Sequence, residues 1–149
     1  LAACASSCRE DACAFAISKA MVNSGVADLI AEYIIGLSRN YGPYVLLAAM
    51  FIITNLFTEL ITNNAAAALS FPLALSLSQQ LGVNPMPFFV VICMAASASF
   101  STPIGYQTNL IVQGIGNYKF TDFVRVGLPL NIIAFLISVF LVPQIWPFS

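Results

Sequence analysis

Long apolar runs broken by short polar interruptions dominate this chain, and each run predicts a helix. Residues 14–38 start apolar and break at Ser24-Gly25. They resume with Val26, Leu29, Ile30, Tyr33, Ile34 and Leu37 at helical spacing, and Asp28, Glu32 and Arg39 lie on or near the opposite side. Residues 14–42 therefore read as the end of a membrane helix followed by an amphipathic arm, although an ordinary polar helix end fits the same pattern. Residues 43–61 form a strongly apolar helix that runs into the polar patch Thr62-Asn63-Asn64. A second apolar limb follows and ends near Gly82. Two limbs, each about one span long or shorter, with almost no loop between them, predict a hairpin over 43–82. Its tip at 62–64 enters the bilayer and turns back.

Residues 86–101 are apolar and rich in small residues, namely Ala95, Ala96, Ser97, Ala98, Ser99 and Ser101. Small side chains let helices approach closely in lipid. Thr102 to Asn109 then interrupts with proline, glycine and polar residues before another short apolar piece. Residues 86–117 accordingly predict a discontinuous helix broken at 102–109. Residues 120–148 predict the final transmembrane helix. Thr121 would cap a short interfacial start carrying Asp122 and Arg125, which stand three apart and are expected to pair, while Trp146 anchors the far end.

Composition turns this helical reading into a membrane reading. The chain is 60% hydrophobic and 7% charged, whereas water-facing domains carry about 25% charged residues. So much apolar surface cannot be hidden inside a domain of this size; a lipid solvent removes the conflict. The fold class expected is an all-α polytopic membrane protein, multi-pass in a plasma or inner membrane. A net charge of −1 offers no basic face for nucleic acid. The chain has no histidine, which argues against a metalloenzyme or a histidine-based catalyst, and no histidine or lysine stands near the serines of 95–101 to activate one as a nucleophile. No organic cofactor and no metal other than a coupling ion is expected, and the chain is not expected to be an enzyme.

Segment 1–13 fits the picture least. It begins at Leu1 and mixes Cys4, Cys8 and Cys13 with Arg9, Glu10 and Asp11. It resembles neither a span nor a signal peptide, and its cysteine spacing matches no zinc pattern. It is read as the atypical N-terminal segment of a fragment, with a damaged or misread end, a metal site and a disulfide as the readings it leaves open. Cys93 lies in an apolar run and reads as a small hydrophobe.

The chemistry concentrates in two polar clusters, 59–64 and 102–109. Broken helices at membrane depth are costly unless they are buried in protein or line a wet cavity, and a pair of them points to a transporter binding site. Unwound carbonyls suit cations, while N–H groups at helix starts suit anions. Asn63 and Asn64 offer amide oxygens and donors, and Thr62, Thr102 and Thr108 offer hydroxyls. Asn and Thr at such places also act simply as caps, and Pro103 can simply kink a helix. Glu59 is the only charged side chain between Arg39 and Lys119. A carboxylate inside a span is functional by default. Proton coupling, a cation contact and a structural hydrogen bond to the hairpin backbone all remain open for it. A channel would need a continuous polar face, which two isolated clusters do not provide.

These residues resemble the divalent anion:sodium symporter family, carriers of sulfate and of di- and tricarboxylates. Thr-Glu-Leu-Ile-Thr-Asn-Asn-Ala (58–65) resembles the second copy of the family's hairpin-tip signature. Pro-Ile-Gly-Tyr-Gln-Thr-Asn-Leu-Ile-Val (103–112) is similar to its unwound segment, and 122–131 resembles the start of its last span. The resemblance implies the second inverted repeat of a secondary transporter, the first repeat lying on a missing N-terminal half, with a homodimer as the working unit. It implies sodium bound by Thr58, Ile61, Asn63, Gly105 and Gln107, and the anion met by Thr62, Asn63, Asn64, Tyr106 and Thr108. Thr-Asn-Asn at the tip and Gly-Tyr-Gln-Thr-Asn in the second loop depart from the carboxylate carriers, so sulfate is favoured over dicarboxylate. Proton-coupled carriers of the arsenite or citrate type are the alternative.

Overall fold

The computed structural model describes residues 2–38, 42–103, 107–116 and 118–148. Seven helices follow in order: α1 (Ala2–Ser24), α2 (Val26–Ser38), α3 (Pro43–Leu60), α4 (Asn63–Leu81), α5 (Met86–Ser97), α6 (Gln107–Gly116) and α7 (Phe120–Ile145). Among the described residues there is no strand. The protein is all-α. Of these helices, α3 and α7 are long and apolar enough to cross a membrane. The pair α1–α2 passes the same test together, bent by 74° at Gly25.

Local chemistry accounts for most of the boundaries. Gly42 sits at φ 77°, where a side chain would be strained, and Pro43 follows at the first helical position. Gly82 closes α4 in the left-handed conformation, and Val83 N–H returns to the Ser78 carbonyl at 3.1 Å. Between α3 and α4 only Ile61 and Thr62 are non-helical. The Thr62 hydroxyl accepts from Ala65 N–H at 3.4 Å and starts α4 as its N-cap.

Packing gives the topology. Leu46, Leu47, Met50 and Phe51 of α3 share a core with Leu73, Ala74 and Leu77 of α4 and with Phe88, Val91 and Ile92 of α5. The start of α3 thus lies against the end of α4, so the two helices form a hairpin. Tyr44 and Phe88 both pack on Phe148, 5.8 and 6.0 Å between ring centroids, which brings the starts of α3 and α5 to the end of α7. Phe51 meets Phe135 edge-on at 5.4 Å. Hence α3 and α5 run parallel, and α4 and α7 run against them.

Small residues decide how close these helices come. Ala66, Ser70, Ala74 and Ala95 are fully buried. In lipid the tails are as apolar as the core, so tight contact between small side chains must supply the attraction. The outside is correspondingly greasy: Val126, Leu128, Ile133, Ile137, Phe140 and Leu141 of α7 are all exposed.

Several boundaries differ from the sequence reading. Residues 2–13 are helical and continue into α1. The break after α5 opens at Ala98 rather than at Thr102, and Thr108 and Asn109 already belong to α6. Asn63 and Asn64 are the first turn of α4 rather than loop. No separate interfacial helix precedes the last span: α7 is continuous from Phe120, and Lys119, not Thr121, is its N-cap. Asp122, expected to pair with Arg125, accepts from the Lys119 N–H at 3.0 Å and caps the helix instead.

Candidate binding site

The ends of α3 and α5 and the start of α4 meet at one place. A helix end leaves up to four carbonyls without intrahelical partners. Here polar side chains from across the fold satisfy them. Ser99 Oγ donates to the Thr58 carbonyl at 3.2 Å, and Thr102 Oγ1 donates to the Glu59 carbonyl at 2.8 Å. Asn55 Nδ2 donates to the Ala98 carbonyl at 2.7 Å. Asn109 of α6 reaches back to the carbonyls of Ser99 and Thr102, each at 3.4 Å. The non-helical backbone from Ala98 is thereby bound to the hairpin on one side and to α6 on the other.

Thr58 lies at the centre of this junction and is fully buried. Its hydroxyl has Asn63 Oδ1 at 2.8 Å and the Ala96 carbonyl at 2.7 Å. A hydroxyl carries one proton, so it serves these two acceptors only in part. The junction is richer in oxygen than in hydrogen. The C-terminal ends of α3 and α5 add partial negative charge to it.

The start of α4 has the opposite character. Thr62 Oγ1 donates to Asp11 Oδ1 at 3.2 Å, and Asn64 Nδ2 donates to Asp11 Oδ2 at 3.3 Å. Two neutral donors at a helix N-terminus hold the two oxygens of one carboxylate, which is the arrangement an oxyanion needs.

Glu59 faces a third direction. It is 8% exposed, and its Oε1 accepts from the Ser101 N–H at 3.0 Å and from Asn131 Nδ2 at 2.9 Å. The same Asn131 nitrogen lies 2.8 Å from Ser101 Oγ. The backbone that Glu59 orients is that of the break, not that of the hairpin. Gly127, one turn earlier on α7, is buried, and a methyl group there would come within 2.1 Å of the Phe100 carbonyl oxygen. Glycine at this point lets the non-helical chain of the break lie directly on α7.

Of the residues singled out from sequence, Thr58, Glu59, Ile61, Thr62, Asn63 and Asn64 gather at this junction. Thr108 is exposed in the first turn of α6. Gly105 and Tyr106 lie outside the described residues, as does the side chain of Gln107. Asn109, the last residue of the second polar cluster, is in place, whereas the sequence reading does not single out Asp11, Asn55, Ser99, Gly127 and Asn131 as site residues. Asn131 did carry a signal, as an amide inside the most apolar span. Among the described residues no three His, Cys, Asp or Glu side chains gather to hold a metal ion.

Residues 12–148 match the family model described as citrate transporter. An uncharacterized transporter of Synechocystis is 42% identical over 130 residues, covering 87% of this chain and 21% of that protein. Sodium/sulfate cotransporter 1 of Chlamydomonas reinhardtii is 38% identical over 131 residues, again 87% of this chain but 15% of its own length. The sodium-dependent dicarboxylate transporter SdcS of Staphylococcus saprophyticus is 29% identical over 134 residues, 87% of this chain and 26% of its length. The chain thus spans between 15% and 26% of these relatives.

Proposed function

The chain belongs to the citrate transporter family, and from that premise we propose that it supplies half of the binding site of a sodium-coupled carrier for a small divalent anion. Its apolar helices make it part of a multi-pass membrane protein. The coupled transport itself belongs to the longer protein. Transporter relatives also accord with a chain that is not an enzyme.

The supporting observation is the carboxylate of Asp11 seated on Thr62 and Asn64 at the start of α4. It stands where a substrate oxyanion would stand, and the donors that hold it are neutral. Neutral donors favour release as well as capture, because no fixed positive charge holds a dianion in place. Sodium then belongs on the other side of the tip. There Asn63 Oδ1, the Thr58 carbonyl and the Ala96 carbonyl lie between two helix C-termini. Ile61, Gly105 and Gln107 complete the ligand set proposed for it, and Tyr106 and Thr108 are the further residues proposed for the anion. Anion and cation sit on opposite ends of helices that meet at one tip, so each lowers the electrostatic cost of binding the other. Sulfate is the favoured substrate, with a dicarboxylate second. Movement of the hairpin-bearing part as a body would expose the site to each side in turn.

The test is uptake of labelled sulfate and of labelled succinate by the full-length protein in proteoliposomes, with sodium or choline outside. Sodium-dependent sulfate uptake is expected. Uptake that follows a proton gradient and ignores sodium would overturn the coupling assigned here.

A further inference from the structure

Two buried oxygens beside Glu59 are left over by the roles assigned so far. Glu59 Oε2 and Asn131 Oδ1 have no hydrogen-bond donor among the described residues, and both are shielded from solvent. They belong to one hydrogen-bonded cluster, since Asn131 Nδ2 holds the other carboxylate oxygen of Glu59. Both residues line a cavity of about 440 Å³, together with Asn55 and Ser101, between apolar walls that include Phe51 and Phe135. A buried acceptor without a donor costs free energy, and for a carboxylate oxygen the cost is larger still.

The charges around it make the deficit one of positive charge. No lining residue of the cavity is basic. The nearest elements that carry titratable groups place them elsewhere: Asp11 of α1 sits on the hairpin tip, and Asp122 and Arg125 stand at the start of α7, six or more positions before Asn131. The carboxylate itself lies in the last turn of α3, where the helix end adds partial negative charge.

We propose that Glu59 Oε2 and Asn131 Oδ1, with Asn55 and Ser101 on the cavity wall, form a second site for a monovalent cation, here sodium. It is separate from the site between Asn63 and the break. The donor set is oxygen only, which suits a hard cation and not a transition metal. One carboxylate balances one positive charge, whereas calcium sites gather more ligands and usually more acidic ones. Water entering the cavity completes the coordination shell. A cation here bridges α3 to α7 across the break, so its arrival tightens the non-helical backbone that also forms the first cation site and the wall of the anion site. The site deepens the transport reading above and rests on it for this coupling role.

Sodium activation of sulfate uptake tests it, measured on the full-length protein in proteoliposomes at constant ionic strength. In Glu59→Gln the midpoint for sodium should rise roughly tenfold or more, as for other lost metal-site groups, and the Hill coefficient should fall by about one. The double variant E59Q/N131D moves the carboxylate across the same site and should restore much of the sodium response. Because the swap also restores the Glu59–Asn131 hydrogen bond in reverse, recovery of folding alone does not count; the sodium midpoint and Hill coefficient of the folded variants are the discriminating readout. If E59Q fails to fold, N131L against N131D makes the same comparison, with N131D expected to keep the steep sodium curve and N131L to flatten it. An unchanged sodium curve in a folded E59Q overturns the second site while leaving the transport reading intact. Loss of pH dependence with sodium dependence preserved assigns a proton to Glu59 and overturns it too. A wild type whose sulfate uptake ignores sodium overturns the earlier reading instead.

Discussion

Gly127 of α7 and Phe100 of the break lie so close that a single methyl group on the glycine would stand 2.1 Å from the Phe100 carbonyl oxygen. The obstacle is backbone, which has no rotamer to retreat to. Gly127→Ala must therefore displace the break or α7, with a cost of about 1–3 kcal/mol by analogy with overpacked cores. Gly114→Ala, in the open on α6 with nothing within 4 Å, is the control. It should be neutral or more stable by about 0.5–1 kcal/mol, from helix propensity. Thermal unfolding in detergent separates the two variants, and uptake should fall for Gly127→Ala alone.

Thr62 combines two tasks in one hydroxyl, accepting from Ala65 N–H and donating to a carboxylate. Thr62→Ala removes both. The cap is worth about 1 kcal/mol of stability, and the lost donor should raise the KM for the anion. Thr62→Ser keeps the oxygen and should retain most of both properties. If Ala and Ser variants show the same KM, the hydroxyl does not meet the anion.

Thr58→Val keeps the shape of the side chain and removes its only proton. Asn63 Oδ1 and the Ala96 carbonyl then lose their shared donor in a buried place, at a cost of about 1–3 kcal/mol. Sodium should recover part of that stability, because a cation can serve the same oxygens. The measurement is the unfolding temperature of the variant in sodium against choline, with a larger sodium gain expected than for wild type.

Asp11 lies one residue before the part of the chain that matches the family, and it engages the donors assigned to the substrate. Asp11→Ala should free Thr62 and Asn64 and lower the KM for sulfate severalfold, with the maximal rate little changed. A raised KM would mean that Asp11 orders the tip rather than competes for it.

Much of this was legible in the linear pattern. The apolar runs and the lack of charge require lipid, and the polar patch Thr62-Asn63-Asn64 between two apolar limbs marks the turn of a hairpin, although only the structure places the restart of the helix at Asn63. Glu59, the only charged side chain between Arg39 and Lys119, drew attention to this segment without any geometry. The start of the break was not legible. Ala-Ala-Ser-Ala-Ser-Phe-Ser (95–101) is acceptable helix by propensity, and its helical period simply continues. What ends the helix at Ser97 is a set of partners about forty residues away: Thr58, Glu59 and Asn55 exchange hydrogen bonds with Ala96, Ala98, Ser99, Ser101 and Thr102.

The division has a physical cause. Solvent preference and helix capping are set within a few residues, so the sequence by itself determined the lipid setting, the order of helices and the polar tip with its carboxylate. Which side chain answers an unpaired carbonyl, and which glycine admits another backbone, depends on elements brought together only when the chain packs. The tertiary structure alone decided that Asn131 would hold Glu59, that Gly127 would lie under Phe100, and that the break would open at Ala98.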